Sequence, residues 1–384
     1  MRFEFATPTR VLFGPGALQE AGPIARSFGK RALVVVGRTI ERSASLLDGL
    51  DRSAVAAVVF QVKGEPSLAA VREGVMRAKL EACDCVVAFG GGSAIDAAKA
   101  IAALLANGGD PLDYLEIIGR KQPLTRPSLP WIAIPTTAGT GAEVTRNAVL
   151  TSPEHRLKVS LRSPLLPARA AIVDPDLLAG LPPEVIAASG LDAFTQLVEP
   201  FVSVRANPLI DALCREGLRR SARSLQRAYG GDSDEATRED LALSSLFGGL
   251  ALSNAGLGAV HGFAAAIGGR FDAPHGAVCA ALLPVVMSVN WRSLARRAPS
   301  SPALVRYAEI AAIVADRPGA SIDEGIAWVQ ALRTALRIPG LTRWGVTDAD
   351  IEGLVSAARS ASSMRGNPIE LADEELAEIL TRSL

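Results

Sequence analysis

The chain has 384 residues, and its 40 lysines and arginines balance 40 aspartates and glutamates, so the formal net charge is zero. Surfaces that bind nucleic acid normally carry a basic excess, and this balance argues against one. The length suggests two domains, and the apolar share of 49% is enough to build a sizeable core in each.

The first half of the chain alternates short, β-branched runs with helical patterns. Such runs, bounded by glycine, proline or aspartate, are typical of strands buried in a parallel sheet. Strands and helices in alternation predict a mostly parallel sheet with helices on both faces. The predicted strands cover residues 31–37, 55–62, 85–89, 131–134 and 170–174, and predicted helices include 68–81 and 93–105.

Beyond about residue 180 the β-branched runs almost disappear, and the helix formers Ala, Leu, Arg and Glu dominate. We expect an α/β domain with a Rossmann-like parallel sheet over residues 1–180 and an all-α domain over residues 181–384. The predicted helices of the second domain include 187–201, 208–226, 235–252 and 321–336, and a surface turn is expected at 230–234.

The spacing of the cysteines and the sequence of the N-terminus bear on the cellular compartment of the protein. The four cysteines are scattered without C-x-x-C spacing, which is typical of a reduced, intracellular chain. Residues 1–5 alternate polar and apolar like a strand and lack the apolar region of a signal peptide. The longest apolar run, 277–287, is shorter than the roughly 20 residues that cross a bilayer. We expect a cytoplasmic protein with no membrane or nucleic-acid partner.

A run of three glycines, Gly90, Gly91 and Gly92, follows a predicted strand and leads through Ser93 into a helix. Glycine lets the backbone approach a bulky anion, and the helix N-terminus adds unpaired N–H groups. The run predicts a site for the pyrophosphate of a dinucleotide, with a plain strand-to-helix turn as the alternative. It is not the common G-x-G-x-x-G fingerprint.

A second loop, residues 135–143, also follows a predicted strand. Its threonines Thr136, Thr137 and Thr140 offer hydroxyls that hydrogen-bond phosphate, ribose or carboxamide groups. Lys158 follows shortly afterwards and has two interpretations. It either pairs with phosphate or ribose oxygens or is a solvated lysine at a strand edge.

Two of the three histidines, His261 and His275, lie in one apolar, glycine-rich stretch. Buried imidazoles need partners for both ring nitrogens, which core hydrogen bonds or a shared metal can supply. Asp192 and Gln196 share one face of a predicted helix because of their i, i+4 spacing. The Asp192 carboxylate is costly to bury there without a cation or a hydrogen-bond donor. With Gln196 as a weaker fourth ligand, this set suits Zn²⁺ or Fe²⁺.

These motifs resemble those of the iron-containing (group III) alcohol dehydrogenase family along almost the whole chain. The matching segments are 11–16, 64–67, 90–99, 134–141, 174–175, 190–193, 261–275 and 366–368. The resemblance implies a dehydroquinate synthase-like architecture with a cleft between the two domains. It implies that NAD or NADP lies along the glycine run and Thr136–Thr140 loop, with Asp96 and Lys158 close by.

The resemblance also implies that Asp192, His261 and His275 hold the metal. Gln196 stands where the family usually has a histidine, and Ala265 stands where many members have a second histidine that is proposed to relay protons. An amide is a weaker ligand than an imidazole, so we expect lower metal affinity or a shifted metal preference.

The end of the first predicted strand bears on the choice between NAD and NADP. Many NAD-preferring members of the family carry an acid here that repels a 2′-phosphate, whereas this chain has Gly37 and Arg38. Arg38 either accommodates a 2′-phosphate or points into solvent, and both dinucleotides remain open.

The resemblance therefore implies an NAD(P)-dependent enzyme that interconverts a primary or secondary alcohol and its aldehyde or ketone, as a homodimer or larger assembly. Asp192, His261, His275 and Lys158 are the predicted catalytic residues. Three alternatives stay open: a metal-independent reductase like the maleylacetate reductases, a dehydroquinate synthase-like lyase, and a non-catalytic NAD-binding protein. The lyase would need a cluster of basic residues near the ligands, and the third histidine, His155, lies in a turn-like segment expected at the surface.

Overall fold

The computed structural model describes residues 2–8, 10–155 and 157–384. These residues form two compact units, which we name the α/β unit and the helical unit. The α/β unit comprises the described parts of Ala6–Thr137 and Gly141–Ala179. The helical unit comprises Gly180–Leu384, the segment Ala138–Thr140 and the described part of Met1–Phe5.

A six-stranded sheet forms the centre of the α/β unit. Its strand order is β1-β8-β5-β4-β2-β3, and all neighbouring strands are parallel. A separate antiparallel hairpin pairs β6 with β7. The strands are β1 (Val11–Phe13), β2 (Arg31–Val36), β3 (Ala56–Gln61), β4 (Cys85–Gly90), β5 (Trp131–Pro135), β6 (Asn147–Ser152), β7 (Leu157–Arg162) and β8 (Ala170–Val173).

Both faces of the sheet are buried, because strand side chains alternate between two apolar clusters. In β2, Leu33 and Val35 belong to one cluster, and Val34 and Val36 belong to the other. The helices that supply these clusters are α1 (Ala21–Phe28), α2 (Ala44–Arg52), α3 (Leu68–Leu80), α4 (Gly92–Asn107) and the short α5 (Pro111–Tyr114). This arrangement confirms the predicted parallel sheet covered on both sides.

The helical unit contains no strand among its described residues. Helix α6 is its central element: it packs against α7, α8 and α10 and is buried along most of its length. The helices are α6 (Pro183–Val202), α7 (Pro208–Tyr229), α8 (Glu235–Ala255), α9 (Ala259–Arg270), α10 (His275–Arg297), α11 (Pro302–Val314), α12 (Ile322–Ala335), α13 (Ile351–Ser360) and α14 (Asp373–Thr381).

The five predicted strands and the predicted helices are confirmed, with ends that differ by a few residues. The expected turn at 230–234 separates α7 from α8. The strand predicted at the N-terminus is wrong for the described residues 2–5, which form no strand. Phe5 instead packs against the apolar core of the helical unit, so its apolar side chain is used without strand pairing.

Among the residues that the structure describes, two helices, α6 and α10, are long and apolar enough to cross a membrane by length and composition, and the bent pair of α8 and α9 also passes together. Of the most apolar windows of α6 and α10, 78% and 83% of the residues are buried inside the protein. Core packing therefore accounts for the apolar character of these two helices.

Candidate metal centre and nucleotide-binding loops

Three helices of the helical unit bring four metal-ligating side chains together. Asp192 lies on α6, His261 on the first turn of α9, and His275 and Cys279 on the first two turns of α10. One ligand atom from each lies within 4.8 Å of all the others. The structure thus confirms that Asp192 and the two histidines meet, and it adds a cysteine that the sequence analysis missed.

The separations within this cluster suit a shared cation. Asp192 Oδ1 lies 3.4 Å from His261 Nε2 and 3.8 Å from His275 Nε2. These distances exceed those of ordinary N–H···O hydrogen bonds. Ligand atoms at the corners of a tetrahedral zinc site are about 3.4–3.6 Å apart, given typical bond lengths. Asp192 Oδ1 is buried and has no hydrogen-bond partner among the described residues, so the site fits a cation.

Glu199 fixes the orientation of the His261 ring. Its Oε1 accepts the backbone N–H of Val260 at 2.8 Å, and its Oε2 lies 2.6 Å from His261 Nδ1. A carboxylate only accepts, so Nδ1 carries a proton, and Nε2 is the nitrogen that faces Asp192. Glu199 was not predicted from the sequence, although its spacing of seven residues from Asp192 places both on one face of α6.

The charges of the cluster stabilise one another. Burial would raise the pKa of Asp192, but His275 and His261 outweigh it and hold that pKa below its ordinary value. Burial would lower the pKa of His261, but Cys279 and Glu199 raise it well above the usual range. Burial would likewise raise the pKa of the Cys279 thiol, and the two imidazoles lower it. The acidic groups are therefore biased towards their deprotonated, ligand-competent forms.

Gln196 is buried on α6, four residues after Asp192. Its Nε2 donates to the carbonyl oxygen of Gly139 at 3.2 Å. Its Oε1 is buried without a hydrogen-bond partner among the described residues. The amide oxygen therefore remains available as a weak ligand, while Ala265 on α9 offers no group that can transfer a proton.

The glycine run has the predicted strand–turn–helix context in the α/β unit. Strand β4 ends at Gly90, and the backbone N–H of Thr136 donates to the Gly90 carbonyl at 3.0 Å. A Cβ on Gly90 would lie 2.7 Å from the Ala94 Cβ, and one on Gly91 would lie 3.1 Å from Thr137 Oγ1. A side chain has no room at Gly90 and little at Gly91, so the backbone stays open at the N-terminus of α4.

Gly37 and Arg38 follow strand β2 at the same edge of the sheet. The backbone nitrogen of Gly37 would lie 3.3 Å from a Cβ on Gly90, so the carboxyl ends of β2 and β4 adjoin. Arg38 is exposed, and its carbonyl accepts from Gln61 Nε2 at 2.8 Å. Open α/β sheets bind ligands at the carboxyl ends of their strands, and Arg38 is two residues beyond the carboxyl end of β2.

Two further predicted cofactor residues, Asp96 and Lys158, already have partners in the structure. Asp96 Oδ2 accepts the Val149 N–H at 3.1 Å, and Asp96 Oδ1 lies 3.4 Å from the buried ammonium of Lys99. Lys158 Nζ pairs with Glu65 Oε1 at 2.9 Å. Lys158 belongs to the α/β unit, and Thr140 belongs to the helical unit. His155 is exposed, as expected.

Comparison with known families identifies the chain. Residues 8–175 match the family described as iron-containing alcohol dehydrogenase, and residues 186–384 match the C-terminal domain of the same family. The chain belongs to the iron-containing alcohol dehydrogenase family. It is therefore an oxidoreductase of the metal-containing alcohol dehydrogenases, and its substrates are small alcohols or aldehydes.

Individual relatives of this alcohol dehydrogenase agree with the assignment. It is 34% identical to alcohol dehydrogenase 4 of Saccharomyces cerevisiae, over 99% of this chain and 98% of the yeast protein. The crystal structure of a 1,3-propanediol oxidoreductase matches with a TM-score of 0.92 at 32% identity and covers 100% of both chains. Sulfoacetaldehyde reductase from Bifidobacterium kashiwanohense, solved with NAD⁺, matches with a TM-score of 0.86 at 26% identity, over 100% of this chain and 99% of that one.

These matches confirm the expected fold class, an α/β dinucleotide-binding region followed by a helical region of dehydroquinate synthase-like architecture. Family membership implies that the enzyme uses a metal and a nicotinamide dinucleotide. It favours an oxidoreductase over the lyase and the non-catalytic protein considered from the sequence.

Proposed function

We propose that this enzyme interconverts a small primary or secondary alcohol and its aldehyde or ketone, using NAD(H) or NADP(H) and a divalent metal held by Asp192, His261 and His275. The observation that carries the proposal is the buried Asp192 oxygen, which faces two imidazole nitrogens and has no hydrogen-bond partner among the described residues. The Gln196 amide oxygen is a further, weaker donor on the same helix.

A divalent cation bound here supplies Lewis-acid polarisation of a C–O bond, an effect worth several kcal/mol in a transition state, and the dinucleotide supplies or accepts the hydride. Asp192 contributes the negative charge that attracts the cation. Glu199 holds the His261 ring with Nε2 facing the site. Because Ala265 has no acidic or basic group, the reaction proton leaves through water or ribose hydroxyls.

For the dinucleotide, we propose that the pyrophosphate lies at Gly90, Gly91, Gly92 and Ser93, where unpaired N–H groups of the α4 N-terminus attract anions. Further contacts are proposed for Gly37, Arg38, Asp96, Thr136, Thr137, Thr140 and Lys158. Asp96 and Lys158 would contact the dinucleotide either alongside their present ion pairs, with Lys99 and Glu65 respectively, or in place of them. The exposed guanidinium of Arg38 leaves room for the 2′-phosphate of NADP(H).

The experiment is a set of initial-rate assays on the metal-replete enzyme. Oxidation of NADH and of NADPH is followed with a panel of small aldehydes, ketones and keto acids. We expect turnover with at least one carbonyl and a clear preference for one dinucleotide. Asp192→Asn should abolish metal binding, whereas Glu184→Gln, an exposed change on the same helix, should not. No turnover with any carbonyl, with or without metal, would refute the proposal.

A metal-independent reductase of the maleylacetate reductase type is the second candidate. It is favoured by Gln196, whose amide nitrogen is engaged with Gly139 and whose oxygen is a weaker ligand than imidazole. Chelation separates the two: a rate that survives complete metal removal supports this candidate, and a rate that falls with the metal content supports the first.

Two further expectations accompany the proposal. The predicted domains are residues 1–180 and 181–384, which limited proteolysis would test by cleavage near the boundary. A cytoplasmic homodimer is the predicted state of the protein, and sedimentation equilibrium would measure its mass.

A further inference from the structure

Cys279 is the one member of the ligand cluster that the function proposed above does not use. It lies on α10 one helical turn after His275, so both side chains share a face of the helix. The thiol is completely buried, and its Sγ lies 3.8 Å from His275 Nε2 and 3.8 Å from His261 Nε2.

Buried cysteines usually act as small apolar side chains, so burial alone says little. Cys214 on α7 is equally buried, and both cysteines belong to the apolar core of the helical unit. Cys279 differs because two imidazole nitrogens and a carboxylate oxygen surround its sulfur within 4.8 Å. An apolar role does not require three metal-ligating groups around one thiol.

We propose that the Cys279 thiolate binds the metal directly and completes a four-ligand set with Asp192, His261 and His275. This inference rests on the metal site of the proposed function and deepens it by naming the fourth ligand and the preferred ion. The Sγ–Nε2 separations of 3.8 Å approach the roughly 3.6 Å between sulfur and nitrogen ligands of a tetrahedral zinc ion.

The ligand types then select the ion. A thiolate is a soft ligand and favours Zn²⁺ over the harder divalent ions, whereas carboxylate and amide oxygens alone favour harder ones. The two negative charges of Asp192 and Cys279 balance the two positive charges of the ion, which lowers the cost of burying it. Cys279 therefore compensates for Gln196, whose neutral amide oxygen adds little affinity, and makes Zn²⁺ the preferred metal.

The first test uses the wild-type enzyme loaded with one equivalent of Zn²⁺. X-ray absorption at the zinc edge should show one sulfur scatterer at about 2.3 Å together with nitrogen and oxygen ligands. Replacing zinc with Co²⁺ should produce a thiolate-to-cobalt charge-transfer band in the near ultraviolet. A first shell of nitrogen and oxygen alone, or a bound cobalt without that band, would overturn the inference.

Substitutions then test whether the metal-bound sulfur belongs to Cys279. Cys279→Ser should lose the charge-transfer band and bind Zn²⁺ at least about tenfold more weakly. Cys214→Ser is the matched control, because Cys214 is a buried thiol of the same unit outside the site. This variant should keep both the charge-transfer band and the wild-type zinc affinity. Gln196→Ala should weaken zinc binding less than Cys279→Ser does. A larger loss for Gln196→Ala would overturn the assignment, and if Cys279→Ser does not fold, the wild-type spectra still decide.

The same samples separate this inference from the proposed function. A zinc site without sulfur in an enzyme that turns over carbonyls refutes the role of Cys279 and leaves the dehydrogenase intact. A zinc–sulfur bond in a protein that turns over no carbonyl confirms the ligand and refutes the proposed reaction.

Discussion

Glu199 controls which nitrogen of His261 is free to bind a metal. It never reaches the ligand cluster itself, but its carboxylate holds the Nδ1 proton and so keeps Nε2 directed at Asp192. Partners of this kind contribute about 10–100-fold to the affinity of a metal site, because they set both the tautomer and the angle of the ring.

We therefore predict that Glu199→Gln lowers zinc affinity by about 10–100-fold. The amide can donate to Nδ1, which would move the ring proton to Nε2 and block the ligand position. Competition with a chromophoric chelator measures the change. Glu184→Gln, at the exposed start of the same helix, serves as the control. Unchanged affinity in Glu199→Gln would contradict the orienting role.

Glu143 is a buried acid of the α/β unit, in the 3-10 turn Ala142–Val144, with 2% of its surface exposed. Burial raises its pKa to about 7 from an ordinary value of 4.5, although the charge of Lys99 lowers it in part. Between these two values the unfolded chain releases the proton while the folded chain keeps it. The free energy of unfolding therefore falls as pH rises through this window.

Glu143→Gln should abolish this decrease in the free energy of unfolding with rising pH, because the amide does not titrate. The variant should be more stable than the wild type at pH 8, by up to about 3 kcal/mol from a shift of this size, with little of this advantage at pH 4. Urea denaturation at the two pH values measures it, with the exposed Glu73→Gln as control. A variant that is equally destabilised at both pH values would show that Glu143 is needed for its contacts rather than burdened by its charge.

The packing of the helices determines the geometry of the metal centre, because its ligands come from separate helices. Small residues set the distance between those helices. Helix α10 approaches α6 closely at its first turn, where Gly276 lies over the backbone of α6. A Cβ on Gly276 would lie 2.1 Å from the Ala188 carbonyl oxygen and 3.1 Å from the Asp192 Cβ. Backbone cannot yield as a flexible side chain does, so any larger residue must push the two helices apart.

Gly276→Ala should accordingly move His275 and Cys279 away from Asp192. We predict a loss of at least about tenfold in zinc affinity, with a destabilisation of about 1–3 kcal/mol, the usual cost of overpacking. Zinc titration and thermal unfolding measure both. Gly49→Ala is the matched control, because a Cβ in that helix of the α/β unit meets nothing closer than 3.9 Å. It should raise stability by up to about 1 kcal/mol.

The strands show how far local pattern predicts elements. The run at β4 is apolar and β-branched and ends in glycine, and the structure confirms it at Cys85–Gly90. The hairpin of β6 and β7 was not predicted. Its strands bury only alternate residues, and Lys99 of α4 holds β6 by donating to the carbonyl of Asn147 at 2.7 Å. Such a long-range contact leaves no local sign in the sequence.

Across the whole molecule, the metal is proposed to bind the helical unit and the dinucleotide mainly the α/β unit, so the two ligands should protect different amides from hydrogen exchange. Zinc should slow exchange in α6, α9 and α10, whereas the dinucleotide should slow it at the start of α4 and in the loop at Thr136 and Thr137. A ligand at 100 times its dissociation constant stabilises the state it binds by about 2.7 kcal/mol.

Hydrogen-exchange mass spectrometry with each ligand alone measures this pattern. The Asp192→Asn variant should lose the zinc effect and keep the dinucleotide effect. Zinc protection confined to the α/β unit, or protection that persists in the variant, would contradict the assignment of the metal to the three helices.

By itself, the sequence determined the alternation of strands and helices, the glycine run at a helix N-terminus, and the shared helix face of Asp192 and Gln196, because these features depend on neighbours within a few residues. Its motifs also indicated the family. Only the tertiary structure decided that Cys279 joins the ligands and that Glu199 orients His261. Glu199 and His261 lie 62 residues apart in the chain, and the four clustered side chains come from three separate helices, so their distances are set by packing rather than by sequence spacing.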